Sequence, residues 1–155
     1  MSQSWKIFFF DIFYVQFNQL LSNVEELKAK DPSGYKSHQK TKLFAKVWAV
    51  IKTQIAINPK NKIFNLGDFL PKEYRTYKRA KSGLPARYRM FFRYRSDEGK
   101  IIIIWMNDEF SLRKGGSKTD VYAVFLRMLQ NKTIPPNWQK LLGNSKEKPI
   151  KTASQ

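Results

Sequence analysis

Two basic pairs at a spacing of two carry the first chemical signal in this chain: Arg79 with Lys81, and Arg87 with Arg89. Side chains two apart in a strand lie on one face, so each pair would present two positive charges together. Antiparallel pairing of the two segments would bring the pairs close to one another. Like charges so crowded destabilise a sheet, so the pattern calls for compensation, by a bound anion or by nearby Asp and Glu. Between Lys72 and Lys118 the chain holds 13 basic residues against 5 acidic ones, Arg93, Arg95, Arg113 and Lys114 among the basic set. Tyr74, Tyr77, Tyr88, Tyr94 and Tyr122 lie among or close to them. Arginine grips phosphate oxygens bidentately, and aromatic rings stack on unpaired bases. The segment therefore points to a polyanion, without saying which.

The whole chain repeats that signal. Its 155 residues carry 29 Lys and Arg against 12 Asp and Glu, a formal charge of +17 and a pI near 10.1. Such an excess fits nucleic acid, the ribosome or an acidic protein as partner, with an anionic membrane surface as the lesser alternative. There is no cysteine and one histidine, His38. That removes disulfides, thiolate nucleophiles and Cys-based metal sites, and also His-rich zinc sites and paired-histidine nucleases. His38 reads as a surface residue of a basic helix. No apolar run reaches the roughly 18 residues that span a bilayer. The opening residues lack the features of a signal peptide, so a cytoplasmic protein with no membrane partner is expected.

Catalysis on RNA would be open to such residues. RNA brings its own nucleophile, the 2′-hydroxyl, and a protein can accelerate cleavage without a metal by fixing in-line geometry and neutralising charge on phosphorus. The proton acceptors and donors available are Lys81 beside the arginines, Tyr122, and Asp108 or Glu109. Each has a plainer use: Tyr122 as a packing residue with a polar tip, the two acids as turn caps or arginine partners. Adjacent carboxylates point apart on an extended strand, which argues against a metal pair and for no metal or cofactor. Gly115-Gly116-Ser117-Lys118 before a helix lacks the glycine spacing of a nucleotide-binding loop.

The elements that must position these residues follow from pattern. Trp5–Phe9 is a short opening strand. Asp11 suits an N-cap, and Phe13, Phe17, Leu20, Leu21, Val24 and Leu27 recur at helical spacing up to the break at Asp31-Pro32-Ser33-Gly34. A second helix is expected over Tyr35–Ile57, its stripe Leu43, Val47, Val50 and Ile51 opposite a face of lysines (Lys36, Lys40, Lys42, Lys46, Lys52) that is either solvated or meets a polyanion. Residues 60–72 read as a surface loop. Strands are expected over Tyr74–Lys81, Arg87–Arg95 and Lys100–Trp105, with Ser96–Gly99 as a turn. Ile101–Ile104 is too apolar for exposure on either face and belongs at the centre of the sheet. Thr119-Asp120 opens a helix to about Asn131 with Val121, Val124, Phe125, Met128 and Leu129 inward. Trp138, Leu141 and Leu142 mark a short packed segment. The expected fold is α+β, in the order β-α-α-β-β-β-α, largely antiparallel, with the helices on one face and the arginines on the other. One domain is expected over residues 1–142, followed by a flexible tail over 143–155.

The motifs Arg79–Pro85 (RAKSGLP), Arg87–Arg93 (RYRMFFR), Trp105–Glu109 (WMNDE), Leu112-Arg113-Lys114, Ser117–Phe125 (SKTDVYAVF) and Pro135-Pro136 with Trp138 together resemble the YhaV family of type II toxins, within the RelE/ParE superfamily. The resemblance is close over Arg79–Leu142 and looser before it. It implies a RelE-like fold, metal-independent cleavage of mRNA connected with the ribosome, and a PrlF-type antitoxin through which operator DNA would be contacted. By position it implies catalytic roles for Arg79, Lys81, Arg89, Arg113 and Tyr122. It leaves Arg87, Tyr88, Arg93, Arg95, Lys114 and Lys118 to bind RNA. The stretch between Arg113 and Tyr122 is longer than in the short RelE toxins. Two other functions remain open from sequence: a ParE-like toxin that inhibits a protein such as gyrase, and a non-catalytic RNA- or ribosome-binding module.

Overall fold

A computed structural model describes residues 4–150. Five strands form one mixed sheet in the order β2-β3-β4-β1-β5: β1 Lys6–Phe10, β2 Lys78–Ala80, β3 Met90–Arg95, β4 Lys100–Met106 and β5 Ser145–Glu147. Four helices accompany it: α1 Asp11–Lys30, α2 Gln39–Val50, α3 Val121–Gln130 and α4 Trp138–Gly143. A π-helical turn, Ile51–Ile55, prolongs α2. β1 runs parallel to β4, and the other three strand pairs are antiparallel. None of the helices described is long and apolar enough to cross a membrane.

The isoleucine run sits where its composition requires. Ile101, Ile102, Ile103 and Ile104 are all fully buried in β4, between β3 and β1. Alternation sends Ile101 and Ile103 into one core with Ile7, Phe9, Phe13, Phe17, Val47 and Val50, and Ile102 and Ile104 into a second with Phe91, Val121, Phe125, Leu129 and Trp138. Helices α1 and α2 therefore cover one face, and α3 and α4 the other. The expectation of helices on a single face fails for that reason: a strand apolar at both parities needs a cover on each side. The arginine-bearing face of β3 is the one beneath α3 and α4. It is a packed surface with charged rims, not an open basic plane.

Boundaries shift elsewhere. Asp11 is the first residue of α1; Phe10 holds the cap position without a side-chain hydrogen bond. Tyr35–Ser37 is a separate 3-10 turn, and α2 begins after His38, whose Nδ1 accepts from the Lys40 amide. Tyr74 ends a 3-10 turn, so β2 is only three residues long. Arg87 has φ 72°, a left-handed conformation that an L side chain adopts at a cost, and β3 begins three residues later. Residues 143–147 do not leave the domain as a tail: β5 pairs with β1 through Phe8–Phe10, satisfying an edge that would otherwise carry open backbone groups. Residues 151–155 of the expected tail lie outside those described. The loop over 60–72 is exposed in part but anchored through buried Phe64, Leu66 and Leu70.

Candidate active site

Helix α3 locates the site. Phe125 stacks on Phe91 of β3 with centroids 3.9 Å apart and rings 12° from parallel. Tyr122, one turn earlier, meets Phe91 edge-on at 5.8 Å. Its ring is thereby buried, with 4% of its surface exposed, and its hydroxyl is carried to the end of the sheet. There Arg79 Nε donates to Tyr122 Oη at 2.8 Å and Arg89 Nε donates to the same oxygen at 3.2 Å. Both guanidiniums are braced: Arg79 Nη1 donates to the Ile63 carbonyl and Arg89 Nη1 to the Tyr88 carbonyl. Arg79 is buried, whereas Arg89 is half-buried. With two donors on its oxygen, the phenol's own proton must point away from both arginines.

Arg113 enters from the following loop. Its Nη1 donates to Asp120 Oδ1 at 2.7 Å, and its guanidinium lies 5.2 Å from the centroid of the Tyr122 ring. Asp120 caps α3, accepting from the Tyr122 amide through Oδ2 and from the Lys114 amide through Oδ1. One buried carboxylate thus ends the helix, holds the loop and orients Arg113. Asn107, 2% exposed, performs the same service for Arg89. Its Oδ1 accepts from the Arg89 amide at 2.8 Å, and its Nδ2 donates to the carbonyls of Arg87 and Ser111. Arg87 Nε donates to the Arg113 carbonyl while the Arg113 amide donates to the Arg87 carbonyl. This clamp surrounds the left-handed Arg87 and fixes the spacing between β3 and the Arg113 loop.

Arg79 and Arg89 thus converge on a neutral phenol, 43 and 33 residues away, while the carboxylate that caps the same helix, Asp120, pairs with Arg113. Four of the five residues expected to be catalytic, Arg79, Arg89, Arg113 and Tyr122, converge. Lys81 does not join them: β2 ends at Ala80 and Lys81 is exposed in the next turn. Spacing by two could not reveal that the strand stops between the members of the pair. Asp108 accepts from the Phe110 amide and from Ser111 Oγ, the turn-closing use. Glu109 is exposed beside Tyr88 and the lysines of α2.

The residues expected to hold RNA divide. Lys114 and Lys118 are exposed near the cleft, which is lined by Phe69, Arg113, Gly116, Lys118 and Tyr122 and has a volume of about 530 Å³. Arg87 is exposed at its clamp. Arg93 Nη1 donates to the Pro136 carbonyl, and its guanidinium packs on Tyr77 and Trp138, which gives it a structural use. Arg95 is paired with Asp97 and Glu98 at the β3–β4 turn. Tyr88 lies against the α1–α2 core. Burial first, then the carboxylates of Glu109 and Asp108, push its phenol above the ordinary range. Sequence reasoning passed over Phe69, which stacks on Tyr122 at 4.5 Å with rings 7° from parallel. An exposed aromatic in a mixed loop has no periodicity to betray it. Asp120 showed only as a helix start.

Asp120 makes the site pH-sensitive. Burial alone would raise its pKa, but the hydrogen bond from Arg113, the Lys114 amide, the Arg113 charge and the Tyr122 amide together hold it below the usual carboxylate range. A depressed folded-state pKa contributes stability above the unfolded value, about 3.9, and that stability is lost as pH falls through the folded one. Asp120→Asn is expected to cost about 1–3 kcal/mol at pH 7, with the gap from the native chain narrowing as the pH drops below about 4. Urea midpoints at pH 7 and pH 3 check this; a gap of equal size at both would refute it.

The family model described as Toxin_YhaV, toxin with endonuclease activity, of toxin–antitoxin system, matches residues 7–146. Among curated relatives, Toxin YhaV of Escherichia coli O6:H1 and Ribonuclease toxin YhaV of Escherichia coli (strain K12) are each 40% identical over 144 residues, covering 92% of this chain and 93% of theirs. No solved structure matches the chain. With a match over nearly its whole length and a converged cluster of arginines around one tyrosine, the chain belongs to the YhaV family of toxins with endonuclease activity, of toxin–antitoxin systems.

Proposed function

We propose that this chain is a ribonuclease toxin whose active centre is Tyr122 with Arg89 and Arg113, positioned by Arg79, Asn107 and Asp120. The observation that carries the reading is the Tyr122 hydroxyl, held by two arginine Nε–H groups at 2.8 and 3.2 Å on a residue that lines a cleft. The relative from strain K12 bears the name ribonuclease toxin, which agrees with it. The 2′-oxygen of the nucleotide before the cut attacks phosphorus as its proton passes to solvent water. The P–O5′ bond breaks, and the 5′-oxygen leaves with the proton of the Tyr122 phenol, which water then restores. Free N–H groups of Arg89 and Arg113 face the charge that grows on the phosphoryl oxygens. The products are a 2′,3′-cyclic phosphate and a 5′-hydroxyl. Arg79, being buried, orients the phenol and does not touch RNA; Lys81 has no part in the chemistry.

The substrate proposed is mRNA met at the ribosome in the cytoplasm, and the neutralising partner an antitoxin of the PrlF type. Net charge of +17 and the family's place in toxin–antitoxin systems support a polyanionic substrate and an antitoxin. A RelE-like architecture belongs to the same reading, supported by the element order through α3. The test is to map RNA 5′ ends, and the chemistry of the matching 3′ ends, after brief expression without antitoxin. Internal cuts ending in 5′-hydroxyl and 2′,3′-cyclic phosphate are expected. Growth arrest with a DNA-damage response and intact RNA would overturn the reading in favour of a gyrase-type target.

A further inference from the structure

Phe69 is 46% exposed, although one face of its ring is covered by Tyr122. The loop that carries it is pinned on either side by buried Leu66 and Leu70, so the ring is held out and not merely left over. Three distances locate its neighbours. The Phe69 and Tyr122 centroids are 4.5 Å apart, and the Arg113 guanidinium is 5.0 Å from the first and 5.2 Å from the second. A cation above the outer face of Phe69 would stand far from Tyr122. Near-equal distances put Arg113 at the flank of the stack. Arg79, 5.8 Å from the Phe69 centroid, is buried and likewise cannot cover an exposed face. Neither guanidinium therefore covers the outer face of Phe69, and 46% of the residue is exposed. The loop also stands between two clefts, one lined by Arg113, Lys118 and Tyr122, the other by Arg75 and Lys78, with Asp68 at the rim of both. Phe69 lines the first of these clefts, next to the residue they share.

We infer that Phe69 is the stacking platform for an unpaired nucleobase next to the scissile phosphate, an inference that rests on the ribonuclease reading of the Tyr122 cluster. The stack would be continuous: base, Phe69, Tyr122. Seating the base on a ring already in contact with Tyr122 fixes the adjoining phosphate relative to the phenol and Arg113. Stacking tolerates any base, so the platform would act on register and affinity more than on the identity of the base.

The test uses a single-stranded RNA with 2′-O-methyl groups, which cannot be cut, and 2-aminopurine placed at successive positions. Binding to the purified chain should quench the fluorescence of one position. Phe69→Trp should keep the quench, while Phe69→Ala and Phe69→Leu lose it and weaken binding on the order of 10- to 100-fold. Leu keeps an apolar contact on Tyr122, so a fold defect is separated from loss of a planar ring; the thermal midpoint of each variant completes that control. A Phe69→Leu variant that binds and quenches like the native chain overturns the inference, as does a native chain that quenches at no position. Cleavage of the unmethylated RNA, measured in parallel, separates the two readings. Quenching without cleavage, with ribosomes added as well as without them, counts against the ribonuclease and leaves the platform; cleavage without ring-dependent quenching does the reverse.

Discussion

Arg89→Ala should lower RNA cleavage by about 10²–10³-fold, the usual cost of one preorganised donor to a developing oxyanion, and release cells from growth arrest. Two uses of the side chain are lost together: a donor to Tyr122 Oη and the remaining N–H groups offered to phosphate. The fold should survive. Asn107 grips the backbone amide of Arg89, which alanine retains, and the side chain is only half-buried. Lys81→Ala is the comparison that gives the result meaning. Sequence position makes the two residues equal candidates, but Lys81 is exposed beyond the end of β2. Its loss should leave cleavage within a few-fold and weaken RNA binding only as any surface charge does. Cleavage rates on one defined RNA, with urea midpoints for both variants, decide it. Equal losses in the two variants would return Lys81 to the reaction.

Tyr122→Phe removes a single oxygen and should cost about 10²–10⁴-fold in cleavage if the phenol protonates the leaving group. The same change strands two arginine donors, one of them buried, at about 1–3 kcal/mol of stability. A purely structural phenol could therefore mimic a catalytic one. Substrate chemistry separates them. A uridine 3′-phosphate ester of 4-nitrophenol has a leaving group that needs no proton. Tyr122→Phe should cleave that ester at nearly the native rate while failing on RNA. If both substrates suffer alike, Tyr122 only holds the arginines apart and in place. Phe69 is present in both the native chain and Tyr122→Phe, so the comparison does not turn on the platform.

Much of the frame was legible in the residues. Four consecutive isoleucines demand burial on both faces of a strand, and β4 has it. Periodic apolar residues marked α1, α2 and α3 within a few positions. Pro135-Pro136 and Trp138 marked the packed segment that became α4. Less legible was anything without a pattern. β5 is three polar residues, and it exists because β1 offers an open edge. The 66–70 loop has no period, and its anchors show only once the second core is assembled. Of the inward face read for α3, Val121, Phe125 and Leu129 are buried and Val124 and Met128 are partly so; Tyr122, which that reading left out, is buried by its contact with Phe91.

By itself, the sequence determined the local terms: which segments could be strand or helix, that the charge excess calls for a polyanion, and that Arg79–Arg89 crowds basic side chains together. Those follow from side-chain volume, period and charge, which each residue carries with it. Only the tertiary structure decided that Arg79 and not Lys81 faces the phenol, that a second helical layer turns the basic face inward, and that Asp120 and Asn107 hold Arg113 and Arg89. These are pairings between residues far apart in the chain. Their free energy arises on contact, when burial removes water from charged groups and leaves them only one another as partners.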